Sequence, residues 1–200
     1  MIPEFQRCAL ELQLKHAAGR GIFEPMSGVF EAAASGRAKC RGCAQPITRG
    51  EMRFGERLPN PYAEGEMTLW FHPACAAYKR PEPLLEALIA GGSELPGREA
   101  LERAARSSLA HPRLARIDGA ERSRSGQATC RSCRQPIERG SWRIRLVYYE
   151  DGRFSPAGYV HIDCRMGYFE TDEVLEHLLH FSAALSDAER EALRGYVGGT

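Results

Sequence analysis

Apolar and polar side chains alternate through Trp142-Arg-Ile-Arg-Leu-Val-Tyr-Tyr149, a period of two that predicts a half-buried β-strand beginning just after Gly140. Asp151-Gly152 then interrupts two strand-like runs and predicts a tight hairpin turn. The run Tyr62-Ala-Glu-Gly-Glu-Met67 is the matching tip of an earlier hairpin that starts after Gly50. Further along, the period lengthens. Val174, Leu175, Leu178 and Leu179 share one helical face behind Thr171 as a cap, and Ser186-Asp-Ala-Glu189 is a capping box opening a second helix. Pro81 to Ile89, and Pro96 to about Ser108, hold the same places in the earlier half. The expected fold class is α+β: two small antiparallel sheets, each followed by a helix pair.

The halves are copies. Ala38-Lys-Cys-Arg-Gly-Cys-Ala-Gln-Pro-Ile-Thr-Arg-Gly50 aligns at an offset of 90 with Ala128-Thr-Cys-Arg-Ser-Cys-Arg-Gln-Pro-Ile-Glu-Arg-Gly140, and Arg53 falls on Arg143. The same offset carries Leu84–Ile89 onto Val174–Leu179, and Glu94-Leu95 onto Ala184-Leu185, so the repeat is a whole module. The expected organisation is an N-terminal extension over 1–27, a first module over 28–113 and a second over 114–200. The extension is expected to hold a short helix ending near Gly19. Ser107-Ser-Leu-Ala-His-Pro112 reads as a break between the modules.

The chain has 200 residues, 43% hydrophobic and 26% charged, which is ordinary globular composition and excludes a largely disordered chain. No apolar run reaches the ~18 residues of a bilayer span, and Glu4, Arg7, Glu11 and Lys15 break up the N-terminus, so an intracellular location is expected. That means cytoplasm or nucleoid in a bacterium, nucleus in a eukaryote.

Six of seven cysteines fall into two equivalent sets. Cys40-Arg-Gly-Cys43 is followed by His72-Pro-Ala-Cys75, and Cys130-Arg-Ser-Cys133 by His161-Ile-Asp-Cys164, with 28 and 27 residues between the inner ligands. Three thiolates and an imidazole, paired on two short segments, suit a closed tetrahedral zinc site, so two structural Zn2+ ions are expected. A disulfide framework or an iron–sulfur centre is the competing reading of the same cysteines. Four protein ligands leave no open coordination position for catalysis. Cys8 stands apart and reads as a small buried residue or free thiol.

The runs Ser35-Gly-Arg-Ala-Lys-Cys40-Arg-Gly-Cys43, Gly50-Glu-Met-Arg53 and Trp70-Phe-His72-Pro-Ala-Cys75 resemble the zinc finger of poly(ADP-ribose) polymerases, also found in one class of eukaryotic DNA ligase. The second copy keeps the ligands, with Gln127 in place of the Arg and Tyr159 in place of the Trp. The resemblance implies recognition of nicked or broken duplex DNA. Arg37, Arg53 and Arg143 would contact phosphates, while Tyr62 and Met67, and Phe154 in the second finger, would stack on an exposed base pair. Gln127 weakens one grip there.

Charge is balanced overall, 27 basic against 26 acidic, yet unevenly placed. Residues 35–80 carry eight basic side chains against four acidic, and 122–168 nine against four, leaving ten basic and eighteen acidic elsewhere. Basic fingers beside loop aromatics meet the needs of sequence-independent DNA binding. Trp142, Tyr148 and Tyr149 are expected in packing, and His177 and His180 in a structural role without a thiol or acidic partner. No Ser-His-Asp set or phosphate-cradling loop occurs, and a chain ending at Thr200 has no room for a transferase domain, so a non-enzyme is expected. The alternative is an adaptor whose acidic helices recruit a protein partner.

Overall fold

The computed structural model describes residues 28–91 and 95–199. The helix expected before Gly19, Cys8, and the Glu94 end of the repeat lie outside the described residues.

Each half forms a three-stranded antiparallel sheet with its longest pairings along the central strand. The first has β1 (Val29–Ala32), β2 (Met52–Pro59) and β3 (Glu66–Phe71) in that order; the second has β4 (Ile117–Arg122), β5 (Trp142–Glu150) and β6 (Arg153–His161). The registers repeat as the sequences do: Glu31 lies opposite Arg53, and Glu121 opposite Arg143. The β5–β6 turn is the expected one, since Asp151 and Gly152 both take positive φ, 48° and 76°. That pair matches the right-handed twist of the strands it joins.

Helices follow each sheet. In the first half α1 (Pro73–Lys79) starts directly after His72, with Pro73 in the first turn where a missing N–H costs nothing. It is followed by α2 (Pro81–Gly91) and α3 (Arg98–Ala110), close to the expected pair. The second half has α4 (Arg165–Phe169), α5 (Leu175–His180) and α6 (Asp187–Gly198). The capping box is present: Ser186 Oγ accepts from Glu189 N at 3.3 Å, and Ser186 N donates to Glu189 Oε2 at 2.9 Å. Thr171 departs from expectation. Its Oγ1 accepts from Glu173 N at 3.1 Å, a local turn, and the helix begins only after Val174. Within the segment 107–112, α3 ends at Ala110, and a 3-10 turn over Pro112–Arg116 leads straight into β4.

Two hydrophobic cores result, one per half, but the first is completed by the second. Phe54, Leu69, Phe71, Leu84 and Leu88 share their cluster with Phe181, while Tyr149 and Phe154 of the second hairpin pack against it. Burying one such aromatic ring contributes roughly 2 kcal/mol. The second hairpin tip lies so close that a Cβ on Gly152 would come within 2.6 Å of Met67 Cε. Tyr78 stacks at 4.4 Å on His177, whose Nε2 meets Ser108 Oγ at 3.2 Å.

Lys79 lies in the same seam. Its Nζ donates to Ile117 O at 2.5 Å and faces the rings of Phe181 and Phe154 at 4.5 and 5.2 Å. Burial pushes its ammonium down to about 8, against the opposing pull of Asp118. The folded chain therefore releases this proton before the unfolded chain does, so stability rises with pH between about 8 and 10.5, and the full penalty stands below 8. We expect wild type to gain roughly 3 kcal/mol relative to Lys79→Met across that window in urea titrations. A difference that stays flat with pH would mean a solvated ammonium.

Candidate functional site

The ligand sets assemble as the spacing predicts. Cys40, Cys43, His72 and Cys75 bring their donor atoms within 4.8 Å of one another, as do Cys130, Cys133, His161 and Cys164. Cys43 and Cys75 Sγ lie 3.4 and 3.8 Å from His72 Nδ1, and Cys133 and Cys164 repeat the same distances to His161 Nδ1. A zinc tetrahedron with bonds of about 2.3 Å to sulfur and 2.0 Å to nitrogen has edges of about 3.5–3.8 Å.

The surroundings prepare these donors. His72 Nε2 donates to Pro46 O at 3.3 Å and His161 Nε2 to Pro136 O at 3.2 Å, which leaves Nδ1 unprotonated toward the sulfurs. Backbone N–H groups of His72 and His161 reach Cys40 and Cys130 Sγ at 3.3 and 3.4 Å. Burial pushes the Cys130 thiol up, but N–H groups of His161, Cys133 and Ser132 outweigh it and bring it down to about 7. In the first set, contact with Cys43 and Cys75 holds Cys40 far below the thiol range, while contact with Cys40 and Cys43 drives Cys75 far above it. Three sulfurs this close can all be anionic only around a cation. The donor set thus fits two Zn2+ ions, one per site, each closed to substrate.

The two centres differ in cover. Cys75 is buried where its counterpart Cys164 is half-buried, and Cys43 is half-buried where Cys133 is exposed. The difference comes from α5, whose His180 Nε2 lies 3.1 Å from Cys75 Sγ and donates to it across the seam. His180 therefore has the thiol partner that the sequence reading denied it, because that partner belongs to the other module. His177 is buried as expected.

The arginines expected to hold phosphate are not equivalent. Arg53 is 9% exposed, its Nε and Nη2 bound to Glu31 Oε1 at 3.2 and 2.5 Å, with the guanidinium 3.5 Å over Trp70. Its Nη1 has no hydrogen bond among the described residues. Arg143 has the same arrangement with Glu121 and Tyr159, and in addition its Nη1 donates to Ser123 Oγ at 3.3 Å. Ser123 stands where the first copy has Ala33. Each of the three guanidinium nitrogens of Arg143 thus has a partner inside the protein, where Arg53 has partners for two. Arg37 is exposed and in no ion pair among the described residues, and Gln127 is exposed and uncharged. The sequence reading missed Glu31 and Glu121; the signal was a Glu at the next-to-last position of each strand that precedes a knuckle, 90 apart.

The expected stacking residues also divide. Tyr62 is 67% exposed at its tip, with the Arg153 guanidinium 5.1 Å from its ring. Met67 is half-buried beneath Gly152. Phe154 is no free tip: it stands edge-on to Phe71 at 6.5 Å and tilts on Tyr149 at 4.9 Å, because the second hairpin spends its apolar end on the first sheet.

These features define a protein of two repeated Cys3His zinc modules, each a three-stranded sheet with its own metal. Residues 31–111 match the family described as the poly(ADP-ribose) polymerase and DNA-ligase Zn-finger region. That match covers the first module, and the second half repeats its ligands and its register. It is 28% identical over 152 residues to poly [ADP-ribose] polymerase 1 of Gallus gallus, covering 67% of this chain and 15% of that protein. Over 172 residues it is 27% identical to poly [ADP-ribose] polymerase 1 of Xenopus laevis, covering 76% of this chain and 16% of that protein. A poly [ADP-ribose] polymerase of Sarcophaga peregrina is 26% identical over 176 residues, covering 70% and 17%. The chain thus spans about one sixth of the length of these relatives. Among the described residues no helix is long and apolar enough to cross a membrane.

Proposed function

We propose that this chain is a non-catalytic, sequence-independent DNA-binding protein that recognises breaks in duplex DNA through its first finger, with the second finger serving as a brace. The asymmetry of the arginines carries this reading. Arg53 is fixed by Glu31 and Trp70 with one N–H edge uncommitted, Arg37 is an unpaired exposed cation, and Tyr62 offers an open ring. A held guanidinium loses little freedom on meeting a phosphate, and an open ring suits the base pair exposed at a nick. The second finger offers none of the three in usable form.

The test is a titration of nicked and intact duplex of one sequence with the zinc-loaded chain. Tighter binding to the nick is expected, with a loss of roughly tenfold for Arg37→Ala and little change for Gln127→Ala. Equal affinity for the two duplexes, or indifference to Arg37→Ala, would overturn the reading.

A further inference from the structure

A groove of about 690 Å³ runs between the two modules. One wall is the first zinc knuckle, with Arg37, Lys39 and Arg41; the other is the start of β6, with Arg153 and Phe154; Trp70 lies between them. Four cations line this groove and no carboxylate does. Among the described residues none of the four is in an ion pair, in contrast to Arg53, Arg80, Arg98, Arg113, Arg143 and Arg145. Unpaired cations gathered on facing walls repel one another, so the arrangement calls for an anion of extended shape.

Arg153 is placed there by packing. The Asp151-Gly152 turn sets it on β6, Gly152 rests on Met67 and Leu69, and the neighbouring Phe154 is anchored on Phe71. Its guanidinium lies 5.1 Å from the Tyr62 ring while also lining the groove, so it joins the open ring to the cations of the knuckle.

We infer that the groove is a composite phosphate track, and that Arg153 of the second module completes it. A DNA strand whose last base meets Tyr62 would pass its phosphodiester backbone by Arg153 toward Arg41, Lys39 and Arg37. This inference rests on the DNA-binding reading above and extends it: the second module touches the nucleic acid, but through a cation at the tip of its hairpin and not through a finger face of its own.

The test titrates nicked duplex, intact duplex and a thymidylate oligonucleotide over a range of salt, using the zinc-loaded full chain, Arg153→Ala, Arg153→Lys and the exposed control Arg139→Ala. Thermal unfolding of each variant confirms an unchanged fold. We expect Arg153→Ala to weaken binding about tenfold and to flatten the salt slope by about 0.9 on duplex and 0.7 on single strand, one phosphate's worth. Arg153→Lys should restore the slope and Arg139→Ala should leave it alone. An unchanged slope overturns the inference, and if affinity still falls it assigns Arg153 to positioning Tyr62. An equal loss in Arg139→Ala also overturns it, by reducing the effect to net charge. If nicked and intact duplex bind alike while Arg153 still sets the single-strand slope, break recognition fails and the track stands. Binding to none of the three removes both.

Discussion

Cys75→Ala will unfold the first module, lower the zinc content from two ions to one per chain, and leave the second module folded but undocked. The ion supplies most of what holds so small a sheet. Apparent binding energies of structural zinc are about 10–16 kcal/mol, which exceeds the net stability of most domains. The second module has its own ion and its own core of Trp142, Ile144, Val160, Phe169, Leu178 and Leu193. Its seam residues Phe181, Tyr149 and Phe154 would lose their apolar partners on the first sheet, and His180 its sulfur acceptor. Metal analysis, near-UV circular dichroism and proteolysis would show one intact metal site and cleavage confined to the first half. Two bound ions and a native melting curve would contradict the account.

Gly119→Ala should cost about 2–5 kcal/mol without touching either metal site, the sum of a strained backbone and an overfilled contact. Gly119 sits at a bulge in β4, where the pairing with β5 slips between Ile117 and Ala120. Its φ is 100°, and an added Cβ would lie 2.4 Å from Phe181 O. Backbone cannot yield there as a flexible side chain would, because Ala120 N donates to Ser182 Oγ at 2.7 Å just beside it. Gly126→Ala is the control: its Cβ would meet nothing within 4 Å, so a change of less than about 0.5 kcal/mol is expected. Urea midpoints for the two variants decide the matter. Equal midpoints would mean that β4 shifts freely against α5.

The metal ligands, the repeat, the Asp151-Gly152 turn and the Ser186 capping box were legible because each is a local pattern with a fixed spacing. Strands β1 and β4 were not. Val29–Ala32 is only four residues long, and Glu31 and Glu121 interrupt the apolar alternation in order to pair with arginines opposite. Helix α1 is seven residues, too short for a helical period to show. The docking of the modules was hidden for a different reason. The contacts that Gly152, Phe154, Lys79 and His180 make in the seam exist only once the second hairpin meets the first sheet, and no local spacing encodes them. For the same reason Arg53 and Arg143 look alike in sequence, while the Ser123 hydroxyl distinguishes their hydrogen bonds.

That hydroxyl shows how duplicated halves can divide labour while their alignments stay nearly identical. A single oxygen atom, present at 123 and missing at 33, gives the Arg143 Nη1 a partner inside its own module that the Arg53 Nη1 lacks among the described residues. In each copy the residue twenty positions before the arginine thus sets how many of its guanidinium nitrogens the module itself engages.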